Sequence, residues 1–431
     1  MNALEATIVT VVPVGELDTE LVRGELEAKL QACRRLAADV VVTEPVSDEA
    51  GAQRLSEQFT ARPTELLLLI ALRGLSAQVM QTAGRLAQAP VLLWPIAGHF
   101  ALPSSALVAG ALREAGIPVE LLYTPPQHPA AFERLRCVAQ TATAYARIRR
   151  SRIGVVGGLF PNLVACRYDP DTLRARLGTI LVPIAYPNLR ASMQDILARP
   201  AETEQARQQL TPSVTLQPAD APALAAGLRL HLALKQAAAD QHLDAFAAEC
   251  WTGLPRELGL NPCLGFVEDA YTLACEGDVM VAVALLWVRY LNGQRAYVGD
   301  LYEVDLDGNL TLMHCGGPCS LAADPSQMVV SPSQTAVARG FETITCRPRL
   351  PAGPVTLFRF YGQNCDQMHV ALGDLIRCDQ SPNLTVRVKL AGSRGDFLSQ
   401  VLGNHYLVVA GNIRQELKLL AQWLAIRLVE T

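Results

Sequence analysis

Between Ala274 and His314 the chain places two carboxylates and an imidazole in segments that otherwise read as hydrophobic core. Glu276 and Asp278 stand in Ala-Cys-Glu-Gly-Asp, just ahead of a run where Val279, Ala282, Val283 and Leu286 recur at helical spacing. Asn292-Gly293 supplies a left-handed stop, so this helix is expected to end near Leu291. A carboxylate at a helix start is held ionised by unpaired backbone donors and by the helix dipole. Ionised, it can hold a cation or accept a proton from a substrate. Glu276 also has a bland reading as a cap. Asp278 can fill that role instead and leave Glu276 free for chemistry.

The next candidates lie in a hairpin. Asp300 falls in a strand over 295–305, and His314 in a second strand over 310–315. Aspartate is disfavoured inside a strand, and an edge position is its ordinary explanation. A two-residue Asp307-Gly308 turn would pair 306 with 309 and send Asp300 and His314 to opposite faces. A three-residue loop with Gly308 left-handed pairs 305 with 309, and 300 with 314 on one face. The sequence permits both. The second is favoured because it makes chemical sense of two polar residues in apolar strands.

Taken in order, ACEGD, VGD before Leu301, MHCG, VTLFRF over 355–360 and LGNHYLVVAGNIRQELKLLAQWLAI over 402–426 resemble the L-fucose isomerase-like family, a relative of L-arabinose isomerase. The resemblance covers mainly residues 250–431. It implies a metal-dependent aldose–ketose isomerase, usually using manganese, acting on a free monosaccharide such as a fucose- or arabinose-type sugar. On the matching motif positions Glu276 and Asp300 would be metal ligands that also move protons, and His405 would be the C-terminal metal histidine. Without the resemblance, a lone histidine at the start of an apolar strand is more often structural. His314 matches a histidine that binds metal in the arabinose isomerase-like enzymes or touches only sugar in the fucose isomerase-like ones. Tyr406 stands where the family often has a second histidine, which alters substrate contacts. Arg359, flanked by Phe358 and Phe360, must point at something polar, either a sugar hydroxyl or a buried ion-pair partner.

The implied reaction moves a proton between adjacent carbons. An ene-diol route needs a base beside both carbons and an electrophile on their oxygens, a task suited to a divalent cation. Mixed carboxylate and imidazole ligation suits Mn²⁺. The family also builds its pocket between subunits, so a cyclic homo-oligomer, trimer or hexamer, is implied, with the N-terminal unit of one chain covering the metal site of another. Two other readings compete. Two α/β units in series also describe sugar-binding or regulatory proteins without catalysis, and a metal-dependent epimerase or lyase could use the same fold.

The elements that must carry these residues read as α/β. Apolar runs at 6–12, 38–45, 65–72, 89–96 and 117–123 alternate with helical patterns at 21–36, 76–86 and 103–115, which implies a parallel sheet covered on both faces. A helix over 130–149 leads away after Pro125-Pro126. A second unit opens at 152–161, where Gly154, Gly157 and Gly158 hint at a phosphate loop but read better as a tight strand–helix turn. A strand at 179–184 and a long helix over 223–250, carrying His231 and His242 as surface or packing histidines, complete it. Beyond 251 many short strands with Gly and Pro between them imply a β-rich, barrel-like domain. The expected organisation is therefore two N-terminal parallel-sheet α/β units, 1–125 and 126–250, followed by a β-rich metal-site domain, 251–431, of fucose/arabinose isomerase-like architecture.

Composition narrows the partners. The chain has 431 residues, 50% hydrophobic and 18% charged, with a net charge of −4 and no long basic block. That argues for an ordinary globular protein and against nucleic acid or a membrane surface as partner. The start reads as a first strand rather than a signal peptide, so a cytoplasmic location is expected. The 11 cysteines are scattered and read as free thiols. Cys315 and Cys319 have metal-clip spacing but lack a second pair for zinc. His369 reads as structural, the acid pair Glu268 and Asp269 as a solvated loop, and His99 or His128 as residues a neighbouring subunit could use.

Overall fold

The computed structural model describes residues 7–210, 221–266, 271–341 and 343–431; Glu268 and Asp269 lie outside them. Contacts divide the chain into two compact units. One holds residues 1–147 with short pieces at 290–293 and 415–423, and the other holds the rest.

The first unit is a five-stranded sheet, β1 (Ile8–Val14), β2 (Asp39–Val42), β3 (Leu66–Ala71), β4 (Val91–Leu93) and β5 (Val119–Leu121), in the order β2-β1-β3-β4-β5. Every pairing is parallel. The six residues of β3 are all buried, as continuous apolar runs demand when helices cover both faces. Thr19 and Asp48 start two of the helices by accepting the backbone N–H of Val22 at 3.2 Å and of Gly51 at 2.7 Å.

The second unit combines two sheets. Four parallel strands, β6 (Arg152–Val156), β7 (Ile180–Ile184), β8 (Ala245–Ala248) and β9 (Thr272–Ala274), lie in the order β7-β6-β8-β9. Here the structure departs from the helix expected over 223–250. The helix is Ala221–Gln241, and His242, left-handed at φ 52°, follows its end, so the next residues can enter the sheet. Ala-Phe-Ala-Ala then forms β8 at the centre of the sheet. Its small side chains do not distinguish strand from helix in sequence.

The helix Val279–Asn292 leads out of this sheet and is buried on almost every side, with Gly293 left-handed after it. A closed antiparallel barrel follows, as the short strands implied. Its six staves are β10 (Tyr297–Val304), β11 (Asn309–His314), β14 (Gly353–Tyr361), β15 (Gln367–Asp379), β16 (Leu384–Leu390) and β17 (His405–Ala410). They run β14-β17-β10-β11-β16-β15, and β15 pairs with β14 to close the ring. β12 (Val329–Pro332) and β13 (Ile344–Arg347) form a separate ribbon, and β18 (Arg427–Glu430) adds parallel to β15. Tyr297, Leu312, Leu357, Val386 and Val408 belong to the packed interior.

The hairpin between β10 and β11 takes the three-residue form, with Gly308 at φ 76° and the Asp305 N–H donating to the Asn309 carbonyl at 3.1 Å. The register expected further along does not hold. A bulge between Leu301 and Glu303 slides the ladder by one, so Asp300 faces Met313 rather than His314. One strand carries an extra residue there, and the exposed Tyr302 turns outward at the kink.

Cys319 and Cys346 are joined in a disulfide, against the expectation of free thiols; Cys315 and the other eight cysteines are free. Cys319 lies on the loop after β11 and Cys346 on β13, a pairing with no spacing signature. No described helix is long and apolar enough to cross a membrane.

Candidate functional site

Glu276 stands on the short turn that carries the chain from the end of β9 to the long apolar helix. Ligand sites in parallel sheets form at the carboxyl ends of strands, and this turn lies at such an end. It is tightly built. Glu276 is left-handed at φ 59° and Gly277 at φ 73°. The Glu276 N–H donates to the Cys250 thiol at 3.3 Å, beyond the end of β8, and its carbonyl accepts the Phe160 N–H at 2.9 Å, beyond β6. Three strand ends thus hold one carboxylate. The loop with Gly157 and Gly158 serves as packing here: a Cβ at Gly277 would stand 2.7 Å from the Gly158 carbonyl carbon.

The barrel brings the other groups. Asp300 of β10 is directly paired with His405 of β17. His314 ends β11, and its ring lies 6.0 Å from that of His405. One ligand atom from each of Glu276, Asp300, His314 and His405 lies within 4.8 Å of those of the others. His405 Nε2 is 3.8 Å from Glu276 Oε2 and 3.6 Å from Asp300 Oδ1. The imidazoles are buried, Glu276 is mostly so, and the Asp300 side chain is 35% exposed, so the group opens on one side. Asn404 Nδ2 donates to Asp300 Oδ1.

Arg359 is not on the open side. It is fully buried, with Nη1 donating to Asp278 Oδ2 at 2.9 Å and Nη2 to the Cys166 thiol at 3.0 Å. Of the two partners the sequence allowed, the ion-pair carboxylate is the one present. Asp278 caps the long helix through Oδ1, which accepts the Val281 N–H at 3.0 Å, while Oδ2 lies 3.0 Å from His405 Nδ1. The remaining histidines are elsewhere: His231 bonds Tyr271, and His369 bonds Tyr406 and Thr431. Asn404, Cys250 and Cys166 were not singled out in the sequence. Asn404 sits in the Gly-Asn-His run and could have been; the two thiols carry no local signal.

Electrostatics sets the groups apart. Burial pushes the Glu276 carboxyl up; Asp300 and Asp278 add to the rise, and His405 opposes it. Burial lowers His314 to about 4, leaving a neutral imidazole. Burial works against a charged His405 as well, yet its hydrogen bonds to Asp278 and Cys166 prevail and raise it to about 10. Asp278 is pushed up by burial but held below the usual carboxylate range by Arg359 and His405.

A divalent cation fits this donor set. His405 Nε2 and both ring nitrogens of His314 are buried and have no hydrogen-bond partner, although such groups are ordinarily satisfied. Two carboxylates with two imidazoles offer such an ion oxygen and nitrogen donors and no thiolate. Cys166, Asp278 and His405 form a second group of three potential ligands. There the Arg359 guanidinium, bonded to both Asp278 and Cys166, already supplies the positive charge.

No family model matches the chain. Curated relatives do. The sulfoquinovose isomerases of Priestia aryabhattai and Priestia megaterium are each 25% identical over 352 residues, covering 76% of this chain and 77% of theirs. That of Alkalicoccus urumqiensis is 25% identical over 399 residues, 86% of this chain and 87% of the relative. Among solved structures, an ABC transporter periplasmic solute-binding protein from Actinobacillus succinogenes with bound D-allose aligns at 10% identity over 66% of this chain and 91% of that one. Its TM-score of 0.19 carries no argument. The curated relatives support a sugar isomerase, an intramolecular oxidoreductase.

Proposed function

We propose that this chain is a metal-dependent aldose–ketose isomerase of the L-fucose isomerase-like kind, and that its substrate is a sulfonated hexose of the sulfoquinovose type. The reading rests above all on one observation: two carboxylates and two buried imidazoles, with His405 Nε2 and both His314 nitrogens lacking a hydrogen-bond partner, converge from four separate elements within 4.8 Å. The names of the relatives favour the sulfonated sugar over the neutral fucose- and arabinose-type sugars that the motifs imply.

Glu276, Asp300 and His405, with His314 as a fourth donor or a sugar contact, would hold the cation. When bound, a divalent cation polarises the C1 and C2 oxygens as a Lewis acid. Glu276 is the proton carrier: burial lifts its carboxyl toward the pH at which it must both accept and return a proton. It takes the C2 proton of the aldose and delivers it to C1 from the same side. Asp300, held by Asn404 at the open side, orients the two oxygens and relays the hydroxyl proton between them.

An anionic end group needs a cation set apart from these carboxylates. Arg339 lies over the Trp251 ring at 4.0 Å and 5.1 Å from that of Phe341, with one nitrogen donating to the Trp251 carbonyl. It has no carboxylate partner among the described residues. Trp251 follows Cys250, the thiol that holds Glu276, and packs 5.9 Å from Phe160. We assign the sulfonate to Arg339.

The carbons of a bound sugar opposite the cation need cover. Leu17, Leu75, Phe100 and Tyr123, exposed beyond the strand ends of the first unit, with Leu21 exposed in the first turn of the helix after β1, support a shared pocket in which that edge of a neighbouring chain faces the site, within a cyclic trimer or hexamer.

The test is direct. Purified protein with Mn²⁺ is incubated with sulfoquinovose, L-fucose, L-arabinose and glucose, and ketose is followed by NMR in D₂O. Conversion of sulfoquinovose with solvent deuterium entering at C1 of the ketose is expected. A protein that binds the sugar without converting it would make this a binding protein instead.

A further inference from the structure

The two ring nitrogens of His405 meet opposite surroundings. Nδ1 lies 3.0 Å from Asp278 Oδ2, whereas Nε2 has no hydrogen-bond partner and stands between Glu276 and Asp300. Asp278 is itself gripped from two directions, by the Val281 N–H at 3.0 Å and by Arg359 Nη1 at 2.9 Å. The same Arg359 nitrogen donates to the backbone carbonyl of His405 at 3.3 Å. Asp278 and Arg359 are fully buried and His405 is 1% exposed, so neither carboxylate nor ring has room to swing. The helix start, β14 and β17 each contribute one of the three.

We propose that Asp278, locked by Arg359, is the positioning residue of this site: it holds the His405 ring with Nδ1–H toward itself and Nε2 toward Glu276 and Asp300, where a bound cation would take the place of the Nε2 proton. The inference rests on the metal reading above and adds the reason for it. With the ring turned over, a carbon would face Asp278 and the Nε2 donor would leave the cluster. A ligating histidine whose other nitrogen bonds a carboxylate is fixed in tautomer and orientation, and loss of such a partner costs 10- to 100-fold in metal affinity. Arg359 has two tasks: it neutralises a carboxylate that would otherwise be buried alone, and it occupies the Cys166–Asp278 side, leaving Nε2 as the only face for an ion. This also explains the conflict between the two groups of potential ligands, which share His405.

A buried ion pair could instead serve stability alone, and breaking one side of it would then mislead, because the remaining charge is stranded. The test therefore removes both charges. D278S/R359M keeps a cap for the long helix, but the serine is too short to reach His405. R359K keeps both Asp278 oxygens, one on the Val281 N–H and one on His405 Nδ1, with a cation still present to balance them. Mn²⁺ binding to the metal-free proteins is measured by calorimetry, with thermal melting of the same samples as the fold control. The two variants are expected to melt alike, while D278S/R359M binds Mn²⁺ at least about tenfold more weakly than R359K. Equal affinities overturn the positioning role and leave the metal reading standing. A wild-type protein that binds no divalent ion overturns both. If D278S/R359M does not fold, ¹⁵N-histidine NMR of the wild type loaded with ¹¹³Cd²⁺ decides: cadmium coupling at Nε2 of His405 is expected, and coupling at Nδ1 refutes the proposal.

Discussion

Replacing Gly277 by alanine is the sharpest probe of how the strand ends hold Glu276. At φ 73° an alanine adopts a left-handed conformation, which costs about 1–2 kcal/mol. Its methyl carbon would also stand 2.7 Å from the Gly158 carbonyl carbon and 2.9 Å from Leu159 Cα, and nearer still to the Gly158 oxygen. Carbon contacts relax near about 3.5–4.0 Å, so one backbone must retreat by about 1 Å. The residue that moves with Gly277 is Glu276. Overpacking of this kind adds about 1–3 kcal/mol, and a displacement of about 1 Å at a reacting group can cost about 100-fold in rate. Gly259→Ala is the control, because it has a similar φ of 74° with nothing within 4 Å of the added carbon. At about 2–4 °C per kcal/mol, G277A should melt about 2–12 °C below G259A. Its kcat/KM on whichever sugar the wild type converts should fall by about 100-fold, while G259A stays near wild type. If G277A keeps activity within a few-fold of G259A, Glu276 is not held by this packing.

Glu276→Gln should abolish isomerisation while raising the melting temperature of the metal-free protein at neutral pH. The sign follows from the raised Glu276 carboxyl: its contribution to stability is fully present at acid pH, where the side chain is neutral, and is lost as pH rises through the folded value. The gain in E276Q should therefore vanish toward acid pH in a series of melts, and a pH-independent gain would refute this cause. Arg339→Met should raise KM for sulfoquinovose by at least about tenfold, the scale of one charge-assisted hydrogen bond, and leave glucose turnover unchanged. An equal loss on both sugars would remove Arg339 from anion recognition. Light scattering on the pure protein tests the shared pocket, since a monomer that still isomerises sugar excludes it.

Much of the framework was legible because its physics is local. The five strands of the first sheet are short apolar runs between helices, and a strand buried on both faces has no other composition. The three-residue turn was one of two that Asp307-Gly308 allowed, and it is present without the facing of Asp300 and His314 that favoured it. What failed was non-local. β8 reads as helix because alanine serves either element, and only its neighbours β6 and β9 make it a strand. The bulge at Tyr302 has no glycine to announce it, yet it moves Asp300 off His314. Asp300 and His405 were nominated from separate motifs, and nothing between them in sequence says that β10 and β17 pair with these two residues opposite each other. Asp278 was visible as a cap and Arg359 as a charge in need of a partner. Their meeting could not be seen, because each had a sufficient local explanation of its own.

Several costs in this unit meet at the site. Glu276 and Gly277 are consecutive left-handed residues, and three buried imidazole nitrogens have no protein partner. The Glu276 carboxyl is pushed up by burial beside two other acids. None of this helps the chain fold, and each feature alone would be a defect in a core otherwise packed with apolar side chains. Strain and unsatisfied polar groups persist only where the surroundings over-determine them. Here the surroundings are the three strand ends around Glu276, the β10–β17 ladder and the Asp278–Arg359 pair. A cation would offset the cost at once, because it removes the repulsion between Glu276 and Asp300 and gives the orphaned nitrogens a partner. The same argument says why Arg359 does not substitute for that ion. Its charge is spent on Asp278, on the far side of the His405 ring, and the near side is left negative.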